Sequence, residues 1–380
     1  MVALRVIVDQ IVAPVPGGIG RYSEQLTREL IATAPNDCSV EGIVSAHSQD
    51  KYTEILQRLP GLAELHKTQL GRRELSRAWQ YGFALGSLWH GMVHAPSLLA
   101  PLRQHDGIHN AGDQIAVTIH DLVPWTHPKT LTRHGVAWHK AMAKRAQKYA
   151  DAVVVPTHAV AAELSGYLDF GDRVRVIGGA VSPTLVLPAD AESRAAELGL
   201  PESYILAVGT LEPRKGLASL IQALAVPGAP ELPLVVVGPQ GWKNLNVASV
   251  AAQAGLAEDR VHVLGFVSDE DLALIIQRAT VFVYPSMAEG FGLPVIEALH
   301  FGTPVIHSDV PALMEVAADA SVVVPRDDPA GFPTRLAEAI NRVLTEDGLA
   351  ERLRVIGLDR ARAFSWRDSA EKIWQLHADI

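Results

Sequence analysis

Cysteine is nearly missing from this sequence: Cys38 stands alone and cannot support a disulfide framework. Long apolar runs are missing too. The longest, such as Leu232–Gly238, have the length of a strand and fall far short of the roughly 20 residues that cross a bilayer. No cationic leader followed by an apolar segment is evident, so a cytoplasmic protein is expected. Positive charge is not in excess either, with 33 Lys+Arg against 42 Asp+Glu and a net charge of −9, which argues against a nucleic-acid partner for the chain as a whole.

At 380 residues and 48% hydrophobic content, the chain is globular and too long for one compact core. Two domains of similar size are expected. The charge is unevenly spread between them: residues 1–185 carry 18 Lys+Arg against 16 Asp+Glu, and the remainder 15 against 26. In the first half Arg72, Arg73, Arg77, Trp79, Tyr81, Phe83 and Trp89 interleave bases with aromatics, and Lys140, Lys144 and Lys148 recur beside Arg133 and Arg145. Such a surface suits peripheral contact with an anionic inner membrane face. A solvated helix face is the other reading of the lysine row.

Short β-branched runs at Leu4–Val8, Ile115–Ile119, Ala152–Val155 and Val174–Ile177 alternate with helical patterns such as Tyr22, Leu26, Leu30. A second series follows at Ile205–Gly209, Leu234–Gly238, Val261–Gly265, Val281–Tyr284, Pro304–His307 and Ser321–Val324. The fold class is therefore α/β, with two doubly wound parallel-sheet domains of Rossmann-like type. The Gly- and Pro-rich stretch from Gly178 to Pro188 reads as the linker, with domains 1–185 and 186–363. Ligands of such sheets bind outside the carboxyl ends of the strands, so a cleft between two facing sheets is the expected site.

The run from Ser286 to Leu299 carries the most information. Strand-like Val281–Tyr284 leads into Gly290, Phe291, Gly292 and Leu293, and Pro294 stands where a helix would open. Amides at that helix start have no helical acceptor and suit a phosphate. Glu289 before the loop and Glu297, expected in the first turn, are then placed to hold hydroxyls. The plainer alternative is that Glu297 complements the helix dipole and the glycines only turn the chain.

Three further segments complete the pattern. Gly17, Gly18, Gly20, Arg21 and Tyr22 follow the first strand, but Ser23 stands where a dinucleotide fingerprint needs its third Gly or an Ala, so a loop approaching an acceptor is expected instead. His120 and Asp121 close a strand, where side chains reach a ligand. Gly209 and Thr210 end another strand just before Arg214 and Lys215, two cations able to neutralise a leaving diphosphate without a metal. No metal site is expected. Asp269 and Asp271 read as first-turn acids behind the cap Ser268, and His105 and His109 as loop residues.

Taken in order, the Gly17–Gly20 loop, His120–Asp121, the segment Gly209–Gly216 and the pair Glu289 and Glu297 with Gly-Phe-Gly-Leu-Pro between resemble the retaining glycosyltransferases of family 4, mannosyltransferase-like subgroup included. The resemblance implies the GT-B architecture, with an acceptor-binding first domain, a donor-binding second domain and a last helix, 364–380, returning to the first. It implies a nucleotide-diphosphate sugar as co-substrate, no metal or other cofactor, and a glycan or polyprenyl-linked acceptor. GDP-mannose is the expected donor, with a UDP sugar as alternative. Carried onto this chain, Glu297 binds the ribose, Glu289 the transferred sugar, Lys215 the diphosphate, and His120 the sugar near the reacting carbon; Gly265, Phe266 and Val267 border the base. Thr210 departs from the pattern, since many members carry Arg there, and Arg214 is the candidate substitute. A sugar-nucleotide epimerase of the same architecture and a non-catalytic nucleotide-sugar sensor are the alternative functions.

Overall fold

The computed structural model describes residues 2–14, 17–84, 90–105, 112–240 and 246–380. The chain forms two compact units, Met1–Gly179 with Ser365–Ile380, and Ala180–Phe364. The division falls within the Gly- and Pro-rich stretch, ahead of residue 185.

In the first unit, β1 (Val2–Ile7), β2 (Cys38–Ala46), β3 (Glu64–Gly71), β4 (Met92–Ala95), β5 (Gln114–Thr118), β6 (Ala152–Val155) and β7 (Val174–Val176) form one parallel sheet. Its order is β3-β2-β1-β4-β5-β6-β7. In the second unit, β8 (Ile205–Val208), β9 (Leu234–Val237), β10 (Val261–Gly265), β11 (Val281–Tyr284), β12 (Val305–Ser308) and β13 (Ser321–Val324) pair in parallel in the order β10-β9-β8-β11-β12-β13. Strands β5, β6, β9, β11 and β12 are buried at every position, as strands covered by helices on both faces must be. Strand order reverses between β1 and β4 and again between β8 and β11. Each reversal opens a crevice at the carboxyl ends of the strands, where ligands of such sheets bind.

Strands β2, β3 and β4 are not in the series read from the sequence. Edge strand β3 is polar, with Glu64, His66, Lys67 and Gln69, and β4 spans four residues with His94 inside it. The Gly17–Tyr22 segment also differs from the expected loop: a helix runs from Gly17 to Ala32, so these glycines form its first turn. Burial of Tyr22, Leu26 and Leu30 along one face outweighs the poor helix propensity of glycine.

The last helix, Trp366–Asp379, is capped by the Ser365 hydroxyl, which accepts from the Asp368 amide at 3.3 Å. It packs on the first unit. The Trp374 indole donates to Leu30 O at 3.2 Å, and Trp366 meets the Tyr22 ring edge-on at 5.5 Å. His377 reaches the sheet, with Nδ1 3.2 Å from Gln114 Oε1 and Nε2 3.4 Å from His94 Nδ1. Burial pushes His377 down to about 4, and burial together with the neighbouring His377 holds His94 well below the usual imidazole range.

An unfolded imidazole takes up its proton near pH 6.5, whereas folded His377 stays neutral until about pH 4. The unfolded chain therefore binds more protons between these values. Stability complete above pH 6.5 is expected to fall as pH drops, by roughly 3 kcal/mol at pH 4 from His377 alone. Urea unfolding at pH 7 and pH 4.5 checks this: His377→Gln should flatten the decline, and a slope as steep as the wild type's would show that the seam does not set it.

Candidate active site

The crevice between β8 and β11 is built by two turns that lock into each other. After β8 the chain passes Gly209 and Thr210 into a short turn, Pro213–Lys215, and Gly216 at φ +70° starts the next helix. A Cβ at Gly216 would lie 2.0 Å from Pro285 O, so only glycine lets the two turns approach. After β11, the Met287 amide and the Ser286 hydroxyl both donate to Arg214 O, at 2.8 and 3.2 Å. Arg214 Nη1 in turn donates to Ala288 O at 2.8 Å.

This interlock places four groups around one carboxylate. Glu289 Oε1 accepts from Lys215 Nζ at 2.6 Å, from Ser286 Oγ at 2.6 Å and from the Tyr284 hydroxyl at 2.9 Å. Lys215 Nζ also donates to the Tyr284 oxygen at 3.0 Å. Burial alone would raise the Glu289 carboxyl, but the charges of Lys215 and Arg214 outweigh it and hold the group below the usual carboxylate range. Burial, with the adjacent Glu289 charge, pushes the Tyr284 phenol far up, so it stays a donor. Oxygen Oε1 is thus saturated. Oε2, with Arg214 Nη1 3.8 Å away, is the oxygen left to accept from a ligand hydroxyl.

Gly209, Thr210, Lys215 and Tyr284 line one recess. Along the same rim, the Gly238 amide donates to Gly265 O at 2.8 Å, and Phe266 beyond it is 80% exposed, with Val267 half-buried. The next helix begins at Leu293, with Pro294 as its second residue, and Gly292 at φ +94° supplies its cap position. Phe291 packs edge-on against Phe364 at 5.6 Å. Glu297 lies beyond the first turn and is 1% exposed, which corrects its expected place and removes the helix-dipole explanation. Its charge contributes to raising Tyr284, so it belongs to the same buried neighbourhood.

The first unit has its own cavity, of about 360 Å³, where strand order reverses beside β1. His120 and Asp121, just past β5, form part of its wall. His120 Nε2 lies 2.7 Å from Pro96 O, a group that can only accept, so Nε2 carries the proton and Nδ1 is a bare acceptor. Burial lowers this imidazole, keeping it neutral. Asp121 Oδ1 accepts from the Val123 amide at 3.0 Å. Behind the cavity Asp9, fully buried at the end of β1, accepts at Oδ1 from the Ser45 amide and hydroxyl, at 2.9 and 2.5 Å, and pairs at Oδ2 with Arg72 at 3.2 Å.

Residues 16–185 match the family described as Glycosyltransferase Family 4, and residues 190–358 match Glycosyl transferases group 1. The chain belongs to the family 4 glycosyltransferases. It is 27% identical over 380 aligned positions to O-antigen chain mannosyltransferase B of Escherichia coli, covering 92% of this chain and 93% of that protein. Sucrose-phosphate synthase from Thermosynechococcus elongatus superposes with a TM-score of 0.76 at 24% identity, covering 100% of this chain and 99% of the other. Anabaena HepE in complex with UDP and glucose superposes at 0.75 and 16%, covering 100% of both chains. The fold of this glycosyltransferase is GT-B.

Several expected surface and site residues stand elsewhere. Tyr22 is 4% exposed and meets the His120 ring edge-on at 4.8 Å, so it supports the cavity from behind; Arg21 is half-buried on the same helix. Trp79 is buried in the core and Arg72 is held by Asp9, which leaves Tyr81 and Phe83 as the exposed aromatics of that segment. Trp89 and His109 lie outside the described residues. Among the described residues one group has metal-ligand spacing, Glu41, Glu64 and His66 at the β2–β3 edge, and Arg5 already holds Glu41 at 3.0 Å. Asp269, Glu270 and Asp271 engage Thr184 and Arg194. The sequence reading misses Asp9, Tyr284 and Ser286. A tyrosine closing a buried strand reads as core, and only its distance from Glu289 reveals the polar duty.

Tyr284→Phe keeps the ring and removes one donor from the buried carboxylate and one acceptor from the ammonium. Thermal unfolding is expected to show a loss of about 1–3 kcal/mol. An unchanged melting temperature would show that the hydroxyl does not support the pair.

Proposed function

We propose that this glycosyltransferase moves mannose from GDP-mannose to a glycan or polyprenyl-linked glycan in cell-surface polysaccharide assembly, with retention at the anomeric carbon and without a metal. The observation that carries the reading is the Glu289 carboxylate, anchored through one oxygen at the strand reversal of the second unit and free at the other. Similarity to an O-antigen mannosyltransferase over nearly the whole chain supports the choice of sugar and pathway class. A UDP sugar is the alternative donor, supported by the HepE complex only as a likeness of fold.

In this reading Glu289 Oε2 accepts hydroxyls of the transferred sugar and Glu297 those of the ribose. Exposed Phe266, with Gly265 and Val267, borders the base. As the glycosidic bond lengthens, negative charge gathers on the departing diphosphate. Lys215, Arg214 and the amides of Phe291, Gly292 and Leu293, which lead into the helix, would stabilise it. The leaving phosphate takes the acceptor proton on the same face, so no carboxylate nucleophile is needed. His120 Nδ1 accepts a hydroxyl near the reacting carbon. Lys140, Lys144 and Lys148, on the helix Arg133–Tyr149, with exposed Tyr81 and Phe83, support contact with an anionic membrane face. No helix among the described residues is long and apolar enough to cross a membrane.

Thermal-shift measurements with GDP-mannose, UDP-glucose and other nucleotide sugars test the donor. The true donor at 100 times its dissociation constant should add about 2.7 kcal/mol of stability. No shift with any of them contradicts the scheme, and a rearranged sugar nucleotide after incubation with donor alone points to an epimerase. Lys215→Ala should cut turnover about 10- to 1,000-fold; unchanged donor kinetics in that variant would remove Lys215 from its role.

A further inference from the structure

The first-unit cavity has a polarity pattern that selects among acceptors. Among the described residues of its wall, Arg72 is the one side chain of fixed positive charge, and that charge is already matched by buried Asp9 at 3.2 Å. Arg72 Nη1 also donates to Asp9 O at 2.9 Å, and Nη2 donates to Gln10 Oε1. With its oxygen held by the guanidinium, Gln10 offers the cavity its amide NH₂. The Asp121 carboxylate, in the same wall, supplies an acceptor. The rest of the wall combines apolar Leu98, Leu99 and Ile119 and the hydroxyls of Ser76 and Ser97 with the helix Arg133–Tyr149, on which half-buried Trp138 stands edge-on to His139 at 4.8 Å.

A phosphate can only accept hydrogen bonds at neutral pH and carries charge. Here it would meet the Asp121 carboxylate and a cation whose charge is already balanced. A sugar hydroxyl both donates and accepts, and the apolar C–H face of a pyranose matches an indole. We infer that this cavity seats a neutral pyranose unit at the acceptor's end, with Trp138 as its platform and Gln10 as a specificity-determining donor. The inference rests on the proposed glycosyl transfer, whose acceptor it specifies as an uncharged saccharide rather than a phosphate-bearing group.

Intrinsic tryptophan fluorescence of the full chain, titrated without donor, reads this binding separately from catalysis. The probes are methyl α-mannoside, an α-linked mannobiose, methyl α-glucoside and mannose 6-phosphate. Saturable changes are expected with at least one neutral glycoside, with mannose 6-phosphate binding at least about tenfold more weakly. Trp138→Phe should abolish most of the signal change, and Gln10→Leu should weaken binding about tenfold with the signal retained. Nucleotide-sugar thermal shifts on the same variants serve as the control for folding and for the donor site. If those shifts are present while no neutral glycoside binds, or while the phosphorylated sugar binds equally well, the inference is overturned and the donor assignment stands. If Gln10→Leu and Trp138→Phe both bind like the wild type in competition with a labelled glycoside, the cavity is not the seat. Absence of any donor shift in the wild type counts against the proposed function, whereas the saccharide titration still decides the cavity.

Discussion

The second unit is organised by one buried ion pair, Lys215 with Glu289 at 2.6 Å. A carboxylate left alone at 10% side-chain exposure would be costly, and breaking such a pair from one side typically costs about 3–5 kcal/mol. The pair persists because its desolvation is shared. Tyr284 and Ser286 complete the shell of Oε1, and Arg214 adds charge without taking Oε2. Each contributor comes from a strand end or the turn that follows it, so the pair also fixes where those turns meet. Gly216 under the Pro285 carbonyl is the steric condition for that meeting. The Arg214 carbonyl, accepting from Ser286 and Met287, is its hydrogen-bonded seal.

The first unit repeats the device with another outcome. Asp9 ends β1 as Lys215 follows β8, next to a reversal of strand order, and it too is buried and matched by a cation from a neighbouring segment. Oδ1 accepts from Ser45, and Oδ2 lies within ion-pair range of Arg72 without a hydrogen bond. Asp9 is fully buried and stands behind the cavity wall rather than in it. Its effect is to fix the guanidinium and, through it, the orientation of Gln10. One fold thus carries two anchored carboxylates, one with an oxygen left for the proposed ligand and one acting through its partners.

How far the sequence discloses this depends on whether a feature is local. Strand, glycine turn and proline-led helix around Glu289 are legible because each residue type has a conformational reason there, and the pairing of Arg214 and Lys215 with a strand end is equally local. Strand β3 is not legible: an edge strand needs no apolar alternation, and its polar residues find partners such as Glu41 for His66 at 2.8 Å. The glycines at 17–20 mislead for a related reason, since packing of the Tyr22 face decides helix against propensity. Asp9 within Val-Asp-Gln resembles any turn aspartate. Its role comes from Ser45 and Arg72, residues 36 and 63 positions away, which no local pattern connects.

The buried histidines show why titratable residues are poor guides to function without their surroundings. His94 and His377 come from distant parts of the sequence and meet where the last helix closes on the sheet; burial keeps them neutral, so they pack and hydrogen-bond as uncharged rings. His120 is also lowered by burial, but Pro96 holds its Nε2 proton and its Nδ1 is left toward a cavity. The same residue type, shifted in the same direction by the same cause, seals a seam in one place and offers an acceptor in another. What separates the two cases is which nitrogen is committed and whether space lies beyond the other. By that geometric criterion Glu289 and His120 each keep an atom that suits the ligand contacts proposed for them, whereas Asp9 and His377 serve as support.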